Sequence, residues 1–211
     1  APNGLQVEGR DAIHKLALGV TASADVIEQA VGWGADALLV HHGYFWKNEL
    51  ATLTGIKGRR IRALLENQMS LIAYHLPLDC HPEFGNNKTL LDQLDLPDGS
   101  PIDGEGGLLW SVALDGQLTL DQLADRIASR LNRTPTVIQS PRAEDRLEHM
   151  IVCTGGAQDY ITKAQRYGAD IYLSGEISER TTHEARELGV HYIAAGHHAT
   201  ERYGVQALGS K

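Results

Sequence analysis

Cysteine is scarce: Cys80 and Cys153 are the only two in 211 residues. They stand far apart and fit no Cys-x-x-Cys pattern, which argues against a disulfide scaffold and for a reducing, cytoplasmic setting. No apolar run approaches the ~20 residues needed to cross a bilayer, so no membrane partner is expected. No signal peptide is expected within this stretch, and the opening Ala1-Pro2-Asn3-Gly4 without methionine reads as that of a trimmed chain. Positive charge is short, 19 Lys and Arg against 27 Asp and Glu, for a net charge of −8. That balance disfavours nucleic acid, whose phosphates call for a basic surface. The P-loop and the G-x-G-x-x-G turn are both missing. One basic cluster exists, Lys57-Gly58-Arg59-Arg60 with Arg62. It reads as a solvated helix face before it reads as a phosphate seat.

The composition is otherwise that of a soluble globular protein, 42% hydrophobic and 22% charged, long enough for one large or two small domains. Three apolar runs of strand length each end in histidine. They are Leu38-Leu39-Val40-His41-His42-Gly43, Leu71-Ile72-Ala73-Tyr74-His75, and Tyr192-Ile193-Ala194-Ala195-Gly196-His197-His198. Asp79 follows His75 by four positions, and Glu201 follows His197 by four. In parallel α/β sheets the carboxyl ends of the strands are where ligands bind.

Helices and strands alternate around these runs. Residues 1–15 read as loop, Leu16 to Val20 as a strand, and Ser23 as the cap of a helix that stops at Gly34. Strands are expected at Ala37 to Val40 and Leu71 to Tyr74, with a helix over Arg59 to Asn67 between them. Asn86-Asn87 reads as the cap of a short helix, and Pro97 to Pro101 as a linker. Beyond it, Leu108 to Leu114 alternates as a half-buried strand, and Thr119 to Gln122 is a capping box opening a helix to Leu131. Strands at Thr136 to Gln139, Met150 to Cys153, Ile171 to Ser174 and Val190 to Ala195 enclose helices at Gln158 to Tyr167 and Glu179 to Leu188. The expected fold class is α/β: two internally duplicated units, residues 1–98 and 99–211, with a metal site in the cleft between them.

The duplication is read from self-similarity. Displaced by 134 positions, Gly34-Ala35-Asp36 falls on Gly168-Ala169-Asp170, and His42 falls on Glu176. Displaced by 122, His75-x-x-x-Asp79 falls on His197-x-x-x-Glu201.

A lone histidine at a strand end is usually a solvated or hydrogen-bonded surface group, and His75, His183 and His198 taken singly read that way. Asp79 alone would be a turn residue, and Glu201 a helix-surface charge. The convergence of three strand ends changes the weighing. A tandem histidine presents both rings to one side only where the strand alternation breaks, which Gly43 permits. His197 and Glu201 share a face if the chain turns helical after Gly196. His41, His42, His197, Asp79 and Glu201 then supply three imidazoles and two carboxylates. That exceeds a closed tetrahedral site and suits two divalent metals ~3.5–4 Å apart. Zn, Mn, Fe, Co and Ni all accept such ligands.

These motifs resemble those of the NIF-three-like (NGG-interacting-factor-like) family, also labelled GTP cyclohydrolase 1 type 2 homologs. The resemblance runs through Asn3-Gly4-Leu5-Gln6-Val7-Glu8-Gly9, Gly19-Val20-Thr21, Val40-His41-His42-Gly43, His75-Leu76-Pro77-Leu78-Asp79 and Ala195 to Glu201. It implies a dinuclear metal centre on His41, His42, Asp79, His197 and Glu201, two intertwined α/β units, and a toroidal homo-hexamer. The leading expectation is a metal-dependent hydrolase using a metal-activated water, with His75 or Glu176 moving protons. A purine nucleotide as the small-molecule substrate is implied by the family label alone. The alternative is a non-enzymatic metal-binding scaffold or regulator.

Overall fold

The computed structural model describes residues 2–211. The chain forms two compact units, one ending at Leu78 and completed by Val205–Lys211, the other Asp79–Gly204. This partition differs from the expected division at residues 98 and 99. The Pro97 to Pro101 stretch is no open linker, because Ser100–Pro101 (β5) pairs antiparallel with the strand Trp110–Thr119 (β6).

The first unit holds β1 (Gly4–Val7), β2 (Leu16–Thr21), α1 (Ala24–Trp33), β3 (Ala37–His42), α2 (Gly55–Glu66), β4 (Ser70–Ala73) and the start of α3 (Leu76–Asp79). Its sheet runs β1-β4-β3-β2, with β2, β3 and β4 parallel and β1 antiparallel at the edge. β1 corrects the expected loop over residues 1–15; four residues beside the Asn3-Gly4 turn are too short for a period-two signal to stand out. Ser23 caps α1 by accepting the Val26 N–H at 3.3 Å, and Gly34 ends it at φ 77°. Ile27 and Ala30 of α1 and Ile61 and Leu64 of α2 pack on Leu38, Val40 and Leu71 of the sheet. Elsewhere in the unit Val205, from the last turns of α8 (His197–Gly209), packs on Val20 and Leu78.

The second unit adds α4 (Asn86–Gln93), α5 (Leu120–Leu131), β7 (Thr136–Ile138), β8 (Arg146–Cys153), α6 (Ile161–Arg166), β9 (Ile171–Ser174), α7 (Glu179–Leu188) and β10 (His191–Ala194). The expected helix over Gln158 to Tyr167 begins as a single 3-10 turn, Gln158–Tyr160. The sheet runs β5-β6-β8-β9-β10-β7, with β8, β9 and β10 parallel. Period-two alternation fills both of its faces. Met150, Val152 and Leu173 join a core with α4 and α5, while Ile151, Cys153 and Tyr172 join one with α6 and α7. The capping box on Thr119 and Gln122 is present, and Leu120, Leu123, Ile127 and Leu131 are buried.

The two units share a topology. In each, three parallel strands are flanked at the third by an antiparallel edge: β2, β3 and β4 with β1, and β8, β9 and β10 with β7. His75 follows β4 and His197 follows β10, so the two His-x-x-x-acid motifs leave equivalent strands. The turn before the middle strand is repeated bond for bond. Asp36 Oδ2 accepts the N–H groups of His14 and Lys15, each at 2.8 Å. Asp170 Oδ2 accepts those of Glu148 and His149, each at 2.8 Å. Each carboxylate thereby fixes where its strand begins to pair with the neighbouring one, at Ala37 with Leu16 and at Ile171 with Met150. The two N–H bonds hold the Asp36 carboxyl below its ordinary range.

Replacing Asp170 by Ala leaves the N–H groups of Glu148 and His149 without their acceptor and should cost about 2 kcal/mol. Asp36→Ala should also lower the unfolding midpoint, whereas Asp11→Ala, at an exposed position, should not. Because the Asp36 pKa is lowered, its contribution is complete above the ordinary carboxylate pKa of 3.8 and fades as pH falls through the folded value. Thermal melts of the three variants at pH 7, and of the parent and Asp36→Ala down to pH 3, check this. Equal midpoints throughout would remove the role assigned to the repeated turn.

Candidate metal centre

In the first unit β3 carries His41 and His42 to its last two positions, His41 fully buried and His42 half-buried. His41 Nδ1 bonds the Tyr74 carbonyl at 2.9 Å. A carbonyl only accepts, so Nδ1 carries the proton and Nε2 is the basic nitrogen, the tautomer a metal ligand needs. His42 Nδ1 is bonded to Thr21 Oγ1 at 3.1 Å. Gly43 turns the chain beside β4, where a Cβ would meet the Ala73 Cβ at 2.7 Å. His75 joins the group: ring nitrogens of His41, His42 and His75 all lie within 4.8 Å of one another. Trp46 stands edge-on to His75 at 4.7 Å between ring centres.

The motif near the start of the chain braces this group. Asn3 Oδ1 accepts the His75 N–H at 2.8 Å, and Gln6 Oε1 accepts the Tyr44 N–H at 2.8 Å. Asn3, Gln6 and Thr21, which the motifs contain without marking a role for them, hold the histidines or the turn after them. The Tyr44 hydroxyl bonds the Ala22 carbonyl, and burial pushes its pKa up to about 12.

In the second unit the chain does turn helical after Gly196, and His197 opens α8 with Glu201 one turn on. His197 Nε2 lies 3.0 Å from Glu201 Oε2, and Nδ1 lies 2.7 Å from Glu176 Oε1. Glu201 is only 3% exposed. Gly155, at φ 72°, lies so close to the Glu201 carboxylate that any Cβ there would collide with it. The Gly155 N–H donates to Thr200 Oγ1 at 3.0 Å, and that hydroxyl donates to the His197 carbonyl at 2.9 Å. Asp79 is also buried, and Asn86 Nδ2 donates to its Oδ1 at 2.7 Å.

Asn86 and Asn87 correct the expected helix cap. The cap position is Gly85, and both amides are buried in the first turn of α4. Asn86 positions Asp79, and Asn87 accepts the Thr154 N–H at 3.0 Å. Their signal in the sequence was that tandem amides ahead of a leucine-rich helix have a cheaper exposed alternative, so burial implies partners.

Oxygens of Asp79 and Glu201 lie within 4.8 Å of each other. Two buried carboxylates that close repel unless a cation or a proton intervenes. Within the second unit, with the space that Gly155 keeps open beside Glu201, this chemistry fits a divalent metal. The residues predicted from sequence thus fall into two groups by unit: His41, His42 and His75 in the first, and Asp79, Glu176, His197 and Glu201 in the second. Glu176 holds a ring nitrogen of His197, as a carboxylate orienting a histidine ligand does.

The chain is therefore an α/β protein whose parallel strands end in histidine and carboxylate groups able to hold a metal ion. Among the described residues no helix is long and apolar enough to cross a membrane. It belongs to the Duf34/NIF3 (NGG1p interacting factor 3) family, whose model matches residues 1–211. A relative from Allochromatium vinosum named "GTP cyclohydrolase 1 type 2 homolog" is 55% identical, over 99% of this chain and 82% of its own length. An Escherichia coli relative of the same name is 46% identical, over 99% of this chain and 83% of its own. The solved structure of "protein ybgI, unknown function" is 44% identical with a TM-score of 0.94, covering all of this chain and 83% of that one. Reduced HcgD from Methanocaldococcus jannaschii is 28% identical with a TM-score of 0.84, covering 98% and 82%.

The carboxylates of Glu201 and Glu176 raise the pKa of His197 from 6.5 to about 9, against the opposing effect of burial. The imidazolium therefore stabilises the fold fully below about pH 6.5, and this contribution is lost as pH rises through about 9. For Nε2 to ligate a cation it must give up that proton, so metal uptake at pH 7 should release acid. Proton NMR of chelator-treated protein should show His197 titrating near 9, and lower in Glu176→Gln. A midpoint at the ordinary histidine value in both would contradict the assignment.

Proposed function

We propose that His41, His42, Asp79, His197 and Glu201 hold two divalent cations per chain and that the protein is a metal-dependent hydrolase. The observation that carries this is the pair of buried carboxylates, Asp79 and Glu201, with oxygens within 4.8 Å of each other. Support also comes from the way the chain passes between its units: α3 ends in Asp79, and α8 opens with His197 and carries Glu201. Five ligands are one more than a single tetrahedral ion takes.

When bound, the two cations supply Lewis acidity and an acidified water at neutral pH. The chain's own residues do the rest. The Tyr74 carbonyl and Thr21 hydroxyl fix the rings of His41 and His42, and Glu176 fixes that of His197. Asn86 keeps Asp79 in place. His75 is the proton carrier of this reading, placed by Asn3 and walled by Trp46. The printed names of the relatives suggest a purine nucleotide such as GTP as substrate. A homo-hexamer and a cytoplasmic location belong to the same reading; light scattering should return six chains.

Elemental analysis of metal-reconstituted protein should give two divalent ions per chain. Glu201→Gln keeps the shape of the side chain and loses the charge that lets two cations sit close together. It should lose at least one ion and lower nucleotide or phosphoester hydrolysis more than about a hundredfold. His183→Ala, on the exposed face of α7, should retain both. One ion or fewer per chain in the parent would sink the dinuclear reading. Two ions with no hydrolysis of any nucleotide or phosphoester would leave a metal-binding scaffold in its place.

A further inference from the structure

Beside His197 the second unit opens into a cavity of about 480 Å³, within the ~300–1,000 Å³ range of small-molecule sites. It lies between the end of α5 and the start of α8. Its polar lining comprises Asn132, Arg133, His197, His198 and Arg202, and no aspartate or glutamate lines it. In a chain with a net charge of −8, two guanidiniums on a carboxylate-free wall are a local reversal of sign.

Arg202 is held in position by two bonds. Arg202 Nη2 donates to the Leu131 carbonyl at 2.8 Å and to the Tyr203 hydroxyl at 2.9 Å. Its Nε is buried and has no acceptor among the described residues. Arg133 lies against Gly196, where a Cβ would come within 2.5 Å of its Nε. Gly196, at φ 100°, thus lets the guanidinium rest on the backbone at the mouth of α8. The N–H groups of the first turn of α8, at His198 and Ala199, have no acceptor inside the helix, and the helix dipole adds to the positive potential there. The carboxylates nearest the cavity, Glu176 and Glu201, are both engaged with His197. An anion would therefore sit toward Arg133 and away from them.

In the basic cluster visible in the sequence, Lys57 is already engaged. Lys57 bonds the Leu50 carbonyl and lies 3.6 Å from Glu49, which commits it to the loop after β3.

We infer that this cavity seats a phosphate group of the substrate, with Arg133 and Arg202 as its cationic walls and His197 at its inner end. The inference rests on the reading of His197 as a metal ligand, because that places the seated group next to the reacting bond. It assigns the phosphate end of the proposed nucleotide to this cavity. Planar guanidiniums recognise phosphate oxygens through paired N–H bonds, which an ammonium group does not reproduce.

Calorimetric titration of the full chain with inorganic phosphate, GMP and guanosine tests it in the parent, Arg133→Ala and Arg133→Lys. The parent should bind phosphate and GMP saturably. Arg133→Ala should weaken both about tenfold or more, and Arg133→Lys should recover only part of the loss. Guanosine should bind the parent and Arg133→Ala alike. Arg133 is exposed, so the variants should fold as the parent does; Arg133→Gln replaces the Ala variant if circular dichroism shows otherwise. Absence of phosphate binding in the parent, or equal affinities in parent and variants, overturns the seat. Metal content measured on the same samples keeps the two readings apart. Two ions per chain with affinities indifferent to Arg133 overturn only the phosphate seat. Arg133-dependent phosphate binding in protein that takes up no metal overturns only the metal centre.

Discussion

Asp79 and Glu201 set the terms for the rest of the structure. Both are buried, with oxygens within 4.8 Å of each other. At an effective dielectric constant near 20, two such charges repel by roughly 3 kcal/mol, besides the cost of taking each from water. Few folds of this size can spare that much. The surroundings nevertheless maintain the arrangement. Asn86 is buried to bond Asp79, and Gly155 takes a left-handed conformation that leaves room for Glu201. Thr200 ties the Gly155 backbone to the first turn of α8. A cation, which such a group of residues could hold, would relieve the repulsion.

The scaffold that supports this chemistry occurs twice. Asp36 and Asp170 pin equivalent turns with the same pair of backbone bonds, and β4 and β10 both lead into a His-x-x-x-acid segment. What diverges is the strand end. β3 finishes in His41 and His42, each fixed through Nδ1, whereas β9 is followed by Gly175 and Glu176, and Glu176 serves His197. One copy has become rich in imidazole and the other in carboxylate. A duplicated fold thereby provides both neutral and anionic candidate ligands from strand ends of one design.

The parallel strands, α1, α5 and α7 were legible because each carries a run or period joined to a cap: Ser23 and Gly34, Thr119 and Gln122, and the αL residue Gly189 after α7. The candidate ligands were legible because histidine followed three apolar runs. What was hidden depended on partners distant in sequence. β1 gains its meaning from β4, and β5 from β6. Asn86 looks like a cap until Asp79 is placed beside it, and Arg133 looks like a helix-end charge until Gly196 lies beneath it. Division into units was hidden for a similar reason, since α8 starts in one and ends in the other.

Anomalous diffraction from crystals of the protein loaded with manganese or zinc would test the central claim most directly. Two peaks per chain are predicted, with Asp79, His197 and Glu201 bonded to the same pair of ions as His41 and His42. A single peak held by His41, His42 and His75 alone, with no anomalous density within bonding distance of Glu201, would contradict it.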